Sequence, residues 1–265
     1  MKTRRIFMAS AALLMASLSV SFAQASTLTV GIYPTNPPWE SKMPSGEFQG
    51  FEVDIVNEIA KRLGDTVDFQ DSGFQALFSA VSSGRIDLAI CSITITNDRL
   101  KNQSFTQGYY DADSSLATNA DSKIKSLNDL RGKTLGAIAG TVGEAWVKEN
   151  KEKYGIADLR TFNTLQDLIL DTQSGRLDGA IGDYTAFQFS FLKMPDMKIV
   201  ERIPSGNTFA IMMKKDAPDL AKINDVISEM KKDGTMAALH KKWIGVDPEP
   251  GSSVVKVMPL PQVQK

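Results

Sequence analysis

The octapeptide SGRIDLAI at residues 83–90 recurs almost unchanged as SGRLDGAI at residues 174–181. In both copies a helical pattern ends at the second residue, a glycine, which suits the left-handed conformation that often closes a helix. A strand pattern follows, and the aspartate at the fifth position is expected to brace a neighbouring turn. The repeat therefore predicts the same helix-to-strand unit in each half of the chain.

The segments around each copy extend this alternation of helices and strands. In the first half the predicted order is strand, helix, strand, helix and strand, at residues 28–32, 51–63, 66–69, 74–82 and 86–90. From Leu130 the second half repeats this order. Strands that alternate with helices predict an α/β protein with parallel strands and with helices on the faces of each sheet.

The residues that follow the two copies differ, and this difference indicates function. Ser92 follows the first copy at the position that Asp183 takes after the second. Ligands of open parallel sheets bind beyond the carboxyl ends of the strands, so two facing lobes would place Ser92 and Asp183 on opposite walls of one cleft. The chain must then cross between the lobes, and the extended segments 108–119 and 207–215 are expected to do so.

The two ends of the chain carry different signals. MKTRR, the apolar run 6–20 and the small-residue site AQA are typical of a secretory signal peptide that is cleaved after Ala25. The apolar run, about 15 residues, is shorter than the roughly 20 that a membrane-spanning helix needs. At the other end, residues 219–243 are predicted to form a helix that packs on the first lobe, and residues 248–265 an irregular or frayed tail.

Composition argues against several classes of partner. Three of the 30 basic residues and none of the 31 acidic residues lie in the signal peptide, so the mature chain has a net charge of −4. Such a chain is a poor partner for nucleic acid or for an anionic membrane surface. Cys91 is the only cysteine, which excludes an internal disulfide, and His240 is the only histidine. His240 stands in a basic segment where an exposed position is expected, and the chain has too few ligands for a typical metal site.

Two segments contain parts of cofactor-binding motifs, but their glycines are not at the required spacing. GKT at residues 132–134 resembles the end of a phosphate-binding loop, but Leu127 stands where that loop requires glycine. GAIAGTVG at residues 136–143 does not have the glycine spacing of a dinucleotide site. We therefore expect neither a cofactor nor a metal ion.

Arg99 is a candidate for binding a carboxylate. Thr96 or Asn97 would cap a short helix that carries Arg99 in its first turn. An arginine in a cleft with little water can hold a carboxylate through two parallel hydrogen bonds. A surface ion pair of Arg99 with Asp98 or Asp87 is an equal alternative.

A second set of groups would complete an amino-acid site. GTVGEAW at residues 140–146 opens a helix from a glycine turn, and the N–H groups at such a helix start attract an anion. Asp183 supplies a negative charge that suits an ammonium group. An anion-binding wall and one opposing acid predict a site for the carboxylate and the amine of an α-amino acid.

These segments resemble the bacterial periplasmic amino-acid-binding proteins of ABC importers, the extracellular solute-binding protein family 3. The similarity runs from VGIYPTNPPWE at residues 30–40, through the first repeat and GYYDADSSL, to KKWIG at residues 241–245. It covers nearly all of the chain after the signal peptide. The resemblance implies a two-lobed periplasmic-binding-protein fold of type II, in which each lobe is a mixed, mostly parallel sheet flanked by helices. Two crossover strands would form the hinge, and the lobes would close over the ligand.

The resemblance also implies domain boundaries. They are residues 1–25 for the signal peptide, 26–112 and 209–247 for lobe 1, 113–208 for lobe 2, and 248–265 for the tail.

The residues that would contact the amino acid follow by position from the same resemblance. They are Arg99 and Thr141 for the α-carboxylate, Ser92, Thr94 and Asp183 for the α-amine, Phe74 and Trp39 stacked around the side chain, and Tyr33, Asn36, Cys91 and Gly143 as further pocket positions. Filling of the hydrophobic core is the alternative role for Phe74.

Two departures from the family pattern bear on the ligand. Relatives that bind lysine or arginine often have an acid where this chain has Tyr33, so a strongly cationic ligand is not expected. Many relatives have glutamine or another polar residue where this chain has Gly143, which leaves room or removes a contact. A neutral polar or bulky amino acid is the expected ligand.

The predicted function is therefore capture of an amino acid in the periplasm by a monomer that delivers it to an ABC transporter membrane permease, with a chemoreceptor as a further candidate partner. No catalytic activity is expected. The main alternative is a periplasmic dehydratase of the cyclohexadienyl type on the same scaffold, which would also use Arg99 for a carboxylate. A ligand domain of a sensor is a third alternative, but it would need a tether or an effector domain.

Overall fold

The computed structural model describes residues 25–264. Apart from Ala25, the predicted signal peptide lies outside the described residues. The first part of the chain holds strands β1 Thr27–Ile32, β2 Thr35–Asn36, β3 Glu40–Lys42 and β4 Phe48–Gln49, helix α1 Phe51–Leu63, strand β5 Thr66–Asp71, helix α2 Phe74–Ser83, strand β6 Leu88–Ala89, helix α3 Asn97–Asn102, and strands β7 Gln103–Phe105 and β8 Tyr110–Asp111.

The remaining elements follow the same alternation and then return to the first part. The middle holds strand β9 Ser114–Asn119, a 3-10 helix Leu127–Asp129, strand β10 Thr134–Ile138, helix α4 Val142–Tyr154, strand β11 Asp158–Phe162, helix α5 Leu165–Gln173, strand β12 Gly179–Asp183, helix α6 Tyr184–Phe191 and strand β13 Met197–Ile203. The last part holds strands β14 Thr208–Phe209 and β15 Met212–Lys214 and helices α7 Leu220–Lys232 and α8 Thr235–Ile244.

Two five-stranded sheets form two lobes with the same plan. The strand order is β5-β1-β6-β15-β7 in the first sheet and β11-β10-β12-β9-β13 in the second. In each sheet the first three strands are parallel and the other two pairings are antiparallel. The antiparallel strands are those that come directly before or after a crossing between the lobes. The predicted α/β fold with two mixed sheets is confirmed.

The two crossings lie side by side. Strand β8 pairs with β14 in antiparallel register, with Tyr110 opposite Phe209. Both strands fall within the predicted crossing segments 108–119 and 207–215, which are confirmed. The residue boundaries given for each lobe stay a prediction.

The glycines of the repeated octapeptide have the predicted role in both lobes, whereas the aspartates brace strands and not turns. Gly84 and Gly175 close their helices with φ of 73° and 74°, in the left-handed region. The Asp87 carboxylate accepts the Thr29 N–H at 2.8 Å, and Asp178 makes the equivalent contact with the first parallel strand of the second lobe. The repeat therefore fixes how each helix ends and how the next strand starts.

Helix α1 shows how an apolar stripe builds the core of the first lobe. Val53, Ile55, Val56 and Ile59 recur at helical spacing, and each is at most 2% exposed. The helix packs against β5 on one side and against α7 and α8 on the other. Burial of each such side chain stabilises the fold by about 1.5–3 kcal/mol.

The C-terminal region differs from the prediction in two respects. The single helix expected at residues 219–243 is divided at Gly234, whose φ of 84° a helix cannot contain. His240 was expected at the surface, but it is 6% exposed, so that prediction is wrong. Because α8 packs on α1, the imidazole ring lies against Phe51 and Tyr110, and its Nδ1 hydrogen-bonds the Val246 carbonyl at 2.9 Å.

The tail is irregular, as predicted, but it is not frayed. Val254 is 2% exposed, the Ser253 hydroxyl donates to Asp111, and the Met258 N–H donates to the Gln107 side chain at 3.0 Å. Lys231 donates to the Lys256 carbonyl at 2.9 Å. These contacts therefore hold the tail along the hinge region. Across residues 25–264, no helix has the length and apolar character that crossing a membrane would require.

Candidate ligand-binding site

A cavity of about 670 Å³, its mouth included, lies between the two lobes. It is bounded by the carboxyl ends of the parallel strands, where open sheets place their ligand sites. The predicted site residues that line it are Tyr33, Asn36, Phe74, Cys91, Ser92, Thr94, Arg99, Thr141, Gly143 and Asp183. Trp39 is the one predicted site residue that does not line the cavity.

Arg99 is held at the cavity without an acidic partner. Thr96 caps α3 by accepting the Arg99 N–H at 3.2 Å, and the guanidinium donates to the Thr94 carbonyl at 2.7 Å and to the Gly140 carbonyl at 3.0 Å. No carboxylate among the described residues forms an ion pair with it, because Asp98 pairs with Lys101 instead. Burial lowers the pKa of Arg99 to about 10, so the group keeps its charge at neutral pH.

The alternative of a surface ion pair for Arg99 is therefore wrong. Asp87, the other acid in that alternative, braces β1. The guanidinium instead lies over the rings of Phe74 and Phe78, 5.6 and 5.0 Å from their centroids. Phe74 is 7% exposed and lines the cavity, so it both fills the core of this lobe and supports the cation.

The start of helix α4 lies on the wall that the second lobe contributes, across the cleft from the lobe that carries Arg99. Thr141 caps the helix, and Val142 and Gly143 in its first turn line the cavity. The N–H groups of a first helical turn have no partner within the helix, and the helix dipole is positive at this end. Arg99 reaches the same wall through its bond to Gly140. A carboxylate at this point would meet a cation and a helix start together.

The presence of glycine at residue 143 has a structural reason that the sequence did not reveal. A Cβ atom built at this position would lie 2.8 Å from the Ile181 carbonyl oxygen, because α4 packs closely on β12. Any side chain at residue 143 would require the helix to move. The glycine therefore permits this packing rather than leaving room in the cavity.

Asp183 lies at the end of β12 and caps helix α6. Its Oδ1 accepts the Thr185 N–H at 2.9 Å, and its Oδ2 accepts the indole N–H of Trp39, which belongs to the first lobe. Burial raises the pKa of Asp183 to about 7, although both hydrogen bonds act to lower it. Trp39 is fully buried and does not line the cavity, and its indole reaches the acid from the first lobe.

Ser92 and Thr94 reach the cavity from the segment after β6. Ser92 has a φ of 39°, in the left-handed region that residues other than glycine rarely adopt. Its hydroxyl accepts a hydrogen bond from the Asn36 side-chain amide at 3.0 Å. Thr94 is paired with Phe209 of the crossing strand. Cys91 is fully buried, and burial raises the pKa of its thiol well above the usual value, so it stays neutral.

Tyr33 joins the two lobes at another edge of the cavity. Its hydroxyl donates to the Asn163 carbonyl at 2.9 Å and accepts the Leu165 N–H at 3.0 Å, at the start of helix α5. Both hydrogen-bonding functions of the hydroxyl are therefore used by the protein. Together with the bonds from Trp39 to Asp183 and from Arg99 to Gly140, this contact holds the lobes together across the cleft.

Sequence reasoning missed half of the cavity lining. The lining residues that were not predicted are Ala112, Asp113, Ser114, Ile138, Val142, Leu165, Leu168, Gly182, Ala186 and Phe209. Most are apolar or small and carry no chemical signal of their own. Leu168, however, aligns with Leu77 when the repeat is extended, and that match marks it as part of the repeated unit.

Asp113 adds a charge to the cavity wall, but it already has partners. Its carboxylate accepts the Arg202 guanidinium at 2.6 Å and the Ser205 N–H at 3.0 Å. Of the described lining residues, Arg99, Asp113 and Asp183 alone are charged. Residues 25–264 contain no group of three or more His, Cys, Asp or Glu side chains that could hold a metal ion.

Comparison with known proteins agrees with this architecture. The model of the family of bacterial extracellular solute-binding proteins, family 3, matches residues 28–246. The L-cystine-binding protein TcyJ of Escherichia coli (strain K12) is 32% identical over 228 residues, which cover 84% of this chain and 85% of that protein. This chain belongs to the bacterial extracellular solute-binding proteins, family 3.

Solved structures agree with the same assignment. An ancestral arginine-binding protein bound to arginine has a TM-score of 0.78 and 34% identity, covering 82% of this chain and 98% of that one. An ancestral arginine-binding protein bound to glutamine has a TM-score of 0.78 and 33% identity, covering 83% and 99%. The predicted two-lobed fold of type II is confirmed.

Proposed function

We propose that this protein captures a neutral α-amino acid between its two lobes and delivers it to an ABC transporter permease. The observation that carries the proposal is that Arg99, which has no acidic partner among residues 25–264, lies across one cavity from an acid on the opposite wall. Arg99 and the start of α4 would hold the α-carboxylate, and Asp183 with Ser92 and Thr94 would hold the α-amine.

Two features of the lining support a neutral side chain on the ligand. Asp113 is already paired with Arg202, so the described lining residues offer no free carboxylate to a cationic side chain once Asp183 has paired with the α-amine. The Tyr33 hydroxyl is also fully used, and Leu165, Leu168 and Phe74 make the adjacent lining apolar. The similar proteins include one named for L-cystine and an ancestral arginine-binding protein bound to glutamine, which supports a neutral ligand.

The remaining parts of the proposal concern place and partners. The signal-peptide pattern before Ser26 supports export to the periplasm, and the family includes components of importers. A monomer that closes over one ligand would present both lobes to the permease, and a chemoreceptor could use the same closed form. The similar proteins are named as binding proteins, which supports a carrier without catalytic turnover.

A thermal-shift screen tests the proposal. Each of the twenty amino acids, together with opines and keto acids, is added to the mature protein, and the unfolding midpoint is recorded. A ligand at a hundred times its Kd stabilises by about 2.7 kcal/mol, which corresponds to a rise of roughly 5–10 °C for a chain of this size. A neutral amino acid should give the largest shift. A response to arginine or lysine alone would contradict the neutral ligand, and turnover of prephenate or arogenate would favour the dehydratase.

A further inference from the structure

Two glutamates lie behind the cavity wall, and neither takes part in the proposed binding chemistry. Glu40 in β3 and Glu52 in the first turn of α1 are both 0% exposed. Neither oxygen of Glu40 receives a hydrogen bond from a donor of the described residues, and the same holds for Oε2 of Glu52. No lysine or arginine within residues 25–264 forms an ion pair with either. Two buried carboxyl groups without a cation are costly unless one of them is neutral.

The other oxygen of Glu52 controls the backbone at the cavity. Oε1 accepts the Ser92 N–H at 2.7 Å and the Tyr109 hydroxyl. Ser92 has the left-handed φ of 39° described above, a conformation that persists only where neighbouring groups enforce it. The bond from Ser92 to Glu52 supplies such a constraint. Glu52 therefore acts on the position of the Ser92 hydroxyl without lining the cavity itself.

Glu40 is placed to complete this arrangement. It is paired with Asn36 across strands β2 and β3, and Asn36 donates to the Ser92 hydroxyl. The Glu52 N–H donates to the carbonyl of Trp39, the residue before Glu40, at 3.1 Å, so β3 and α1 bring the two buried glutamates together. Two carboxyl groups can bond to each other only if one of them carries a proton, because an ionised carboxylate has no donor.

The surrounding charges favour one retained proton. The titratable groups that face the pair are the Cys91 thiol, the Tyr33 and Tyr109 hydroxyls and the Asp183 carboxyl, all of which are neutral or negative. The cation Arg99 acts on Cys91. Burial, and then the neighbouring Glu52, raise the pKa of Glu40 well above its usual value, although Cys91 and Asn36 act to lower it. Burial also raises the pKa of Glu52, against the effect of its hydrogen bonds.

We propose that Glu40 and Glu52 hold one proton between them, with Glu40 as the donor to Oε2 of Glu52, and that this pair fixes Ser92 in the conformation that the amine site needs. Glu40 is a positioning residue that acts through Glu52 and Ser92. The proton stays on the pair at neutral pH, so the pair has a single negative charge. The effect on ligand binding rests on the proposed function, whereas the state of the pair does not.

Two substitutions at Glu40 distinguish the loss of its ionisable group from the loss of its hydrogen-bond donor. Glu40→Gln keeps a side-chain donor for Glu52 but cannot ionise. Glu40→Met has a similar volume and removes the donor. Glu47→Gln makes the same change from acid to amide at an exposed position of the β3–β4 hairpin and serves as the control.

Thermal unfolding of the ligand-free protein over a range of pH tests the shared proton. In the unfolded chain Glu40 loses its proton near its usual pKa of 4.5, whereas the folded protein keeps it. The wild type therefore loses stability as pH rises above this value. The unfolding midpoint of Glu40→Gln should therefore rise relative to that of the wild type by about 3 °C per pH unit, until the pH reaches the pKa of Glu40 in the folded protein. A Glu40→Gln profile parallel to that of the wild type, as expected for Glu47→Gln, would overturn the proposal.

Infrared spectroscopy gives a second readout that a purely structural role would not change. The spectra are recorded about one pH unit above the value of about 7 to which the pKa of Asp183 is raised, so that Asp183 is ionised. The carbonyl band of a protonated carboxyl group should be present in the wild type and in Glu47→Gln and absent from Glu40→Gln. A band that persists in Glu40→Gln, or that is absent from the wild type, would refute the shared proton.

Binding is measured with an equimolar mixture of neutral L-amino acids as the probe in the thermal-shift assay. Glu40→Gln should keep the ligand-induced shift of the wild type, and Glu40→Met should lose at least half of it. Equal responses of the two variants would overturn the positioning role. If the wild type itself fails to respond, the proposed function is contradicted, while the unfolding and infrared results still decide whether the proton is shared.

Discussion

The indole nitrogen of Trp39 in the first lobe donates a hydrogen bond to the Asp183 carboxylate in the second lobe. The Thr185 N–H holds the other carboxylate oxygen, so the two oxygens of Asp183 are held from different lobes. The remaining acceptor positions can face an ammonium group in the cavity. Because its two donors come from different lobes, the acid is fully oriented only when the lobes meet.

Replacing Trp39 should therefore weaken binding from outside the cavity. Trp39→Phe keeps an aromatic ring but removes the donor, and a hydrogen bond to a charged group contributes about 1.5–3 kcal/mol. We expect a loss of affinity of roughly tenfold or more in isothermal titration calorimetry. Trp243→Phe is the matched control, because Trp243 also donates to a carboxylate, that of Asp54, away from the cleft. Equal losses in the two variants would contradict the orienting role.

Removal of either charged group should have a larger effect. Arg99→Ala and Asp183→Ala each leave a charged group of the bound amino acid without its partner, which costs about 3–5 kcal/mol. Calorimetry should show affinity reduced by about a hundredfold or more. Arg85→Ala, an exposed arginine within the first repeat, should bind normally. Near-normal affinity of either cavity variant would disprove the assignment of the site.

Binding should also depend on pH through Asp183. The ligand-free protein holds this acid with its pKa raised to about 7, and only the ionised form can pair with an ammonium group. Affinity should therefore be constant above that value and fall by about tenfold for each pH unit below it. Calorimetry across this range, with Asp183→Asn as the variant that cannot titrate, measures the slope. A flat profile in the wild type would contradict this dependence.

Tyr33 offers a test of ligand charge. Tyr33→Asp introduces a free carboxylate at the cavity and removes the bond to the start of α5. We expect this variant to bind neutral amino acids more weakly and to gain measurable affinity for arginine. Tyr33→Phe loses the same bonds to Asn163 and Leu165 without adding charge and should gain nothing toward arginine. If both variants respond alike, charge at this position does not set the preference.

Gly143 should resist substitution for reasons of packing. A Cβ atom there would lie 2.8 Å from the Ile181 carbonyl, and overpacking of this kind costs about 1–3 kcal/mol. Gly143→Ala should lower the thermal unfolding midpoint by several degrees. Gly73→Ala, just before α2, is the control because no atom lies within 4 Å of its Cβ position. An unchanged midpoint in Gly143→Ala would show that the helix shifts freely.

The sequence predicted most of the architecture because its signals are local. The two repeated octapeptides, with their glycine and aspartate positions, determine the helix ends and strand starts, and ten of the eleven proposed site residues line the cavity. Trp39 is the exception, because the sequence does not distinguish an indole ring that lines a cavity from one that is buried beside it. Tertiary packing alone distinguishes them.

Other features depended on contacts between distant segments. His240 lies in a segment with the composition of a surface helix, and only the docking of α8 on α1 buries it. Glu40 and Glu52 stand in short motifs whose acids look solvated, yet both are enclosed once β3 and α1 meet. The tail lacks any periodic pattern, and separate hydrogen bonds to the hinge region hold it in place.

The position of strand β15 has a consequence for biogenesis. This strand lies between β6 and β7, so the sheet of the first lobe cannot be completed until Met212 has been delivered. The strands of the second sheet come from one continuous stretch, residues 114–203. In the proposed export, which would deliver the chain from its N-terminus, the second lobe could therefore assemble while the first, although begun earlier, still has an open sheet edge exposed to chaperones and proteases.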